Sequence, residues 1–147
     1  MFDNIHKIVK EVAYQASAKA DEAIRYSLPD MEDFNAEQML SGIDADGNEI
    51  RPEYRSDDYA QFKQSINRRP AFGTPDLRLT GSFQSGLFAK YDGNNVVFGS
   101  TDSKASGLEA KYGSSIFGLT DENKEDVKNG IIFPRFLQWL SGLINKL

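Results

Sequence analysis

Two stretches of helical apolar spacing stand near opposite ends of this chain, and its strongest hairpin signal lies between them. Over residues 3–27, Ile5, Ile8, Val9, Val12, Ala16, Ala20, Ala23 and Ile24 recur on one helical face. Asp3 or Asn4 is placed to cap that helix, and Leu28-Pro29 is expected to end it. Over 131–146, Phe133, Phe136, Leu137, Leu140, Leu143, Ile144 and Leu147 form a second stripe with Trp139 at its margin. Between the two, Tyr91-Asp92-Gly93-Asn94-Asn95 reads as a tight turn. It separates Leu77, Leu79, Phe83, Leu87 and Phe88 from the returning Val96-Val97-Phe98. The expectation is an α+β fold with a small antiparallel sheet at about 76–100. A long N-terminal helix and a C-terminal amphipathic helix would pack on it. At 147 residues, a single domain spanning 1–147 is expected.

The intervening segments carry weaker signals. Asn35 to Leu40 suits a short helix closed by Ser41-Gly42, and residues 43–50 suit a small hairpin or tight loop around Asp46-Gly47. Residues 57–67 look helical, with Tyr59, Phe62 and Ile66 on one side. The proline and glycine content of 68–75 predicts a loop long enough to serve as an interface arm. A short helix over 103–112 should end at Gly113, and Thr120-Asp121-Glu122 should open another, with acids at its positive end.

Composition removes several classes of function. Cysteine is absent, so there is no disulfide, thiol nucleophile or thiolate metal site. The formal net charge of −5 argues against gripping nucleic acid by its phosphates. No segment reaches the roughly 18 apolar residues of a membrane span. The start Met1-Phe2-Asp3-Asn4-Ile5-His6 lacks the pattern of a secretory signal, so a cytoplasmic site of synthesis is expected.

Candidate chemistry is sparse. His6 is the one histidine and sits on the polar flank of the first helix. A Ser-His-Asp triad would depend on it, and no Gly-x-Ser-x-Gly elbow accompanies any serine. Acidic residues cluster at 30–33, 44–58 and 121–126, where they read as solvated faces and caps rather than as a glycosidase pair. Asp44-Ala45-Asp46-Gly47 invites comparison with a calcium loop. Anchored on Gly47, however, that loop would begin at Gly42, which offers no carboxylate, so a turn is the better account. The glycines of Thr80–Gly86 lack the Gly-Lys-Ser/Thr ending of a phosphate loop. The C-terminal stripe, flanked by few cations, suits core packing or a subunit contact better than a membrane surface. No enzymatic activity, cofactor or metal is expected.

One ordered pattern covers about 90 residues. It begins at Asp44-Ala45-Asp46-Gly47-Asn48-Glu49-Ile50-Arg51-Pro52 and passes through Asp58-Tyr59-Ala60-Gln61-Phe62-Lys63. Leu77-Arg78-Leu79-Thr80-Gly81-Ser82-Phe83-Gln84-Ser85-Gly86 and the strands 87–99 follow. Ser100-Thr101-Asp102, Lys111-Tyr112-Gly113 and Phe133-Pro134-Arg135-Phe136-Leu137 complete it. This order resembles the virion-morphogenesis and tail-completion proteins of tailed phages, and hypothetical proteins of Bacteroidetes phages and prophages. The chain departs from the family pattern at three points. Ile50 or Arg51 stands at its tryptophan, Glu109–Gly113 at its His-x-x-Gly segment, and the final motif lacks one proline.

The resemblance implies a structural subunit of the neck or tail-completion region. It would work in a homo-oligomeric ring that touches neck, portal-adaptor or tail-tube proteins. Genomic DNA would pass an acidic wall without specific binding, and no membrane would be involved. Assembly would occur in the host cytoplasm, and the final location would be the virion. Exposed loops and the matched motifs nominate Arg68, Arg69, Phe72, Asp92, Asn94, Asn95, Arg135 and Trp139 as interface residues. The alternatives are a soluble acidic adaptor or immunity-type binding protein and, further off, a small carboxylate hydrolase.

Overall fold

A computed structural model describes residues 2–146. Leu147, the last position of the expected C-terminal stripe, lies outside the described residues. The fold is α+β, with a two-stranded antiparallel sheet and long helical segments. Two compact units emerge: a central unit, Leu28–Lys124, and a terminal unit formed by residues up to Ser27 together with those from Glu125 onward.

The first helix corrects the sequence reading most. Helix α1 runs Phe2–Leu40 with Pro29 inside it, absorbing both the expected 3–27 helix and the short one at 35–40. A proline inside a helix removes one hydrogen bond and crowds the preceding turn, at a cost of about 3 kcal/mol. The offset lies beyond Pro29, where Met31, Asn35, Gln38 and Met39 share one face and are buried in the central unit. Half of that face is polar, which hid it from an apolar count.

Those polar side chains are satisfied by backbone. The Asn35 amide donates to the Ile116 carbonyl at 3.1 Å, and its oxygen accepts from the Gly118 amide at 3.3 Å. The Gln38 amide donates to the Gly118 carbonyl at 2.9 Å, and its oxygen accepts from the Thr120 amide at 2.9 Å. The core beside this clamp is Met39, Ile50, Leu77, Phe83, Leu87 and Ile116.

Strands β1, Leu87–Tyr91, and β2, Val96–Ser100, pair in the register Leu87↔Ser100 to Tyr91↔Val96. The tip is where the sequence placed it: the Asp92 carboxylate accepts from the Asn94 and Asn95 amides, both at 2.8 Å. Glu32 on α1 accepts from the Ala89 amide at 3.0 Å, covering an otherwise open position on β1. The expected strand entry at 76–86 is not strand. Leu77 has φ +58°, Gly81 φ +90°, and Ser82–Ser85 forms one helical turn, α2. The Asp76 carboxylate accepts from the Arg78 amide at 3.0 Å, folding this stretch back on itself.

The remaining helices are α3, Asp57–Ile66; α4, Ala105–Tyr112; α5, Asp121–Val127; and α6, Phe133–Ile144. Ser56 caps α3 by accepting from the Tyr59 amide, Gly113 follows α4 with φ +92°, and Thr120 Oγ1 accepts from the Asn123 amide at the start of α5. In the 43–50 turn, an Ile43↔Glu49 bridge is closed by Asp44 Oδ1, which accepts from the Asp46 and Asn48 amides at 3.0 Å.

Replacing Asn35 by Leu keeps the branching of the side chain but strands a buried carbonyl and a half-buried amide. The expected loss is about 2–4 kcal/mol of unfolding free energy, measured by urea denaturation. A loss within experimental error would show that the clamp contributes nothing.

Candidate functional site

One concavity of the central unit is a cleft of about 180 Å³ walled by Tyr54, Tyr59, Leu77, Phe83 and Tyr112. Three elements set its shape. The Ser56 cap fixes the first turn of α3 and with it Tyr59, whose ring meets Tyr54 edge to face at 4.9 Å. The Tyr54 amide donates to the Gly73 carbonyl at 2.9 Å, tying its segment to the 68–75 loop. Leu77, in a left-handed conformation rare for a residue with a branched side chain, forms the floor.

Beneath the cleft lies a buried ion pair. Lys63 Nζ stands 2.8 Å from Asp76 Oδ1, and both side chains are almost fully enclosed. Lys63 also donates to the Arg78 carbonyl. Asn67 donates to Asp76 Oδ2 at 3.0 Å and to the Leu40 carbonyl at 2.7 Å. Burial pushes the Asp76 carboxyl up, but donors from Asn67, Lys63 and the Arg78 amide outweigh it and hold the group below its ordinary range. The Tyr54 phenol is pushed well above its ordinary value, first by burial and then by the Asp76 charge, so it stays protonated. These groups are mutually satisfied and serve to pin residues 76–78 under the cleft. What the arrangement offers chemically is an aromatic and apolar trough with Arg78 and Lys104 on its lining.

The trough continues onto a helix face. Tyr59, Phe62 and Ile66 follow one another at i, i+3 and i+7 along α3, and all three are exposed, as is Leu79 beside the cleft. Their helical spacing was visible in the sequence; that the face turns outward was not.

The nominated interface residues are not gathered into one place. Arg68, Arg69 and Phe72 lie on the 67–75 loop, where all three are exposed and Arg69 pairs with Glu37 at 2.6 Å. Asp92, Asn94 and Asn95 form the exposed hairpin tip, and the amides of Asn95 and Asn94 hold the Asp92 carboxyl below its usual range. Arg135 and Trp139 belong to α6 in the terminal unit. There Arg135 lies 3.7 Å from the Tyr26 ring centroid, and half-buried Trp139 packs beside Phe136 at 5.6 Å. The stripe of α6 divides accordingly. Phe136, Trp139, Leu140 and Leu143 are half-buried, while Phe133, Leu137 and Ile144 are exposed.

His6 is exposed on α1. Asp44, the residue of the calcium-loop comparison, spends one carboxylate oxygen on its own turn and accepts from the Ser115 hydroxyl with the other at 3.2 Å. Among the described residues, no group of three or more His, Asp or Glu side chains is arranged to hold a metal ion, and no helix is long and apolar enough to cross a membrane. Comparison with protein-family models, curated proteins and solved structures gave no match.

Replacing Asp76 by Asn leaves Lys63 buried without its counter-charge, and a loss of about 3–5 kcal/mol is expected at neutral pH. Because the folded carboxyl lies below its unfolded value of about 3.9, its contribution is complete above that pH and fades as pH falls through the folded value. The gap between wild type and variant should therefore narrow below about pH 4 in denaturant titrations. A gap that stays constant down to acid pH would refute this account of the pair.

Proposed function

We propose that this chain is a non-enzymatic structural subunit of a tailed bacteriophage, built into a ring at the neck or tail-completion region. The observation that carries the proposal is the order of matched segments from Asp44 to Leu137, which resembles the tail-completion family. Surface character supports it. Exposed apolar side chains lie together on α3 and beside the cleft, and others line one face of α6 and the first turns of α1. Soluble monomers rarely leave such runs uncovered, whereas assembly subunits use them for contact.

Charge supports the passage of DNA without capture. The central unit holds sixteen acidic and ten basic side chains, so its excess charge has the same sign as phosphate. A ring whose inner wall were drawn from this unit would repel DNA rather than retain it.

The test is electron microscopy of lysates from the parent phage with this gene deleted. Heads beside unattached tails, or tails of abnormal length, are expected. Normal infectious particles would overturn the proposal and favour the acidic adaptor.

A further inference from the structure

The cleft between Tyr54, Tyr59 and Tyr112 has a charge opposite to that of the unit around it. Its floor is apolar: Leu77 is 9% exposed and Phe83 3%. Arg78, Leu79, Thr80 and Lys104 also line it, and all four are exposed, so they form its rim. The lining carries these two cations and no acid, within a unit of sixteen acidic and ten basic side chains. Among the described residues, neither Arg78 nor Lys104 has a carboxylate within ion-pair distance. Asp102 is the acid nearest Lys104 in sequence, and it accepts from the Lys104 backbone amide at 2.8 Å. Arg55 and Arg68, on either side of α3, are exposed as well. Asp57 and Asp58 lie in the first turn of α3, where the free backbone N–H groups of a helix start account for them.

We infer that the cleft receives one large aromatic or apolar side chain from an acidic segment of another protein, with Asp or Glu residues beside that side chain meeting Arg78 and Lys104. Size favours a single side chain. The cleft of about 180 Å³ falls short of the roughly 300 Å³ at which pockets for whole small molecules begin. The walls favour an aromatic ring, since Tyr54 and Tyr59 already stand edge to face at 4.9 Å and Tyr112 completes the enclosure. The rim favours acids: an arginine holds a carboxylate through two parallel N–H bonds, and a lysine attracts one as a point charge. A polypeptide suits the surroundings better than a nucleotide. Phe62 and Ile66 on α3 and Leu79 on the rim extend the apolar surface past Tyr59, and a chain running on from its anchor covers them. Beyond the rim the acidic excess of the unit repels, so a segment whose acids sit beside its anchor is held at the cleft rather than elsewhere. Such a site would serve a ring subunit and a free adaptor equally.

The experiment is an NMR titration of the isotope-labelled full chain with a synthetic peptide, Glu-Glu-Trp-Glu-Glu with blocked ends. Lys-Lys-Trp-Lys-Lys, Glu-Glu-Ala-Glu-Glu and adenosine monophosphate are the comparison probes. The acidic tryptophan peptide should shift the amide signals of Tyr59, Leu77, Arg78, Leu79 and Lys104, with a Kd of about 1 mM or tighter. The lysine and alanine peptides should each bind at least about tenfold more weakly, and added salt should weaken the acidic peptide. The charge-reversed variant R78E/K104E should lose the acidic peptide and gain the lysine peptide. Both side chains are exposed, and the bond from Lys63 goes to the Arg78 backbone carbonyl, which the substitution keeps. The variant's own spectrum checks its fold, and R78Q/K104Q repeats the test with a milder change. No shift at these signals up to about 5 mM acidic peptide would overturn the site. Equal binding of the three peptides, or acidic-peptide binding undiminished in R78E/K104E, would overturn it too. Tighter binding of adenosine monophosphate at the same signals would assign the cleft to a nucleotide instead. The neck proposal keeps its separate test in particle morphology.

Discussion

Asn35 and Gln38 occupy the buried face of a helix and treat the segment from Ile116 to Thr120 as a strand would treat its neighbour, donating to carbonyls and accepting from amides. Much else depends on this clamp. It brings a segment some eighty positions away in sequence against α1, so that Ile116 enters the core beside Met39 and Ile50. Phe117 then meets the Phe83 ring at 5.8 Å, and Phe83 is the buried residue of the helical turn that leads into the sheet. Buried amides of this kind are costly unless every donor and acceptor is met, and here the backbone meets them. The same requirement explains why α1 persists through Pro29: ending there would forfeit the buried face that follows.

The Lys63–Asp76 pair solves a second problem. The stretch 76–81 must bend sharply, with Leu77 in a left-handed conformation that costs of order 1–3 kcal/mol. An apolar contact alone would not hold it. A carboxylate that accepts from Asn67, Lys63 and the following Arg78 amide fixes the backbone direction as well as the position. That geometry, in turn, lets Leu77 floor the cleft while Leu79 points outward, so a buried charge shapes an exposed apolar surface.

How much of this the sequence disclosed varied with the kind of signal. The hairpin at 91–95 was legible because its turn chemistry is local: Asp92 closes the tip with its own carboxylate. Thr120 and Gly113 were legible for the same reason, as helix boundaries written in one or two residues. The continuation of α1 past Pro29 was not, since its buried face alternates methionine with amides whose partners lie some eighty residues away. Nor was the bend at 76–86, where Leu77 and Leu79 have the spacing of a strand and the partners that hold Asp76, Lys63 and Asn67, lie on and just beyond α3. At the surface, the Tyr59, Phe62 and Ile66 stripe could be counted but not oriented. Helical periodicity reports that a face is apolar, and says nothing about whether the chain or a partner covers it.

That last distinction bears on what the molecule is for. In an isolated protein, an apolar helical stripe is normally turned inward, because exposing it costs solvation free energy and invites aggregation. This chain exposes stripes in both of its compact units and collects its acidic excess in only one of them. Like-with-like pairing of the central units would bring acidic surfaces together, and repulsion opposes it. Pairing with an unlike, less acidic surface removes apolar area from water without that repulsion. The acidic excess of the central unit thus adds a reason of charge, besides its apolar faces, for meeting a surface unlike itself.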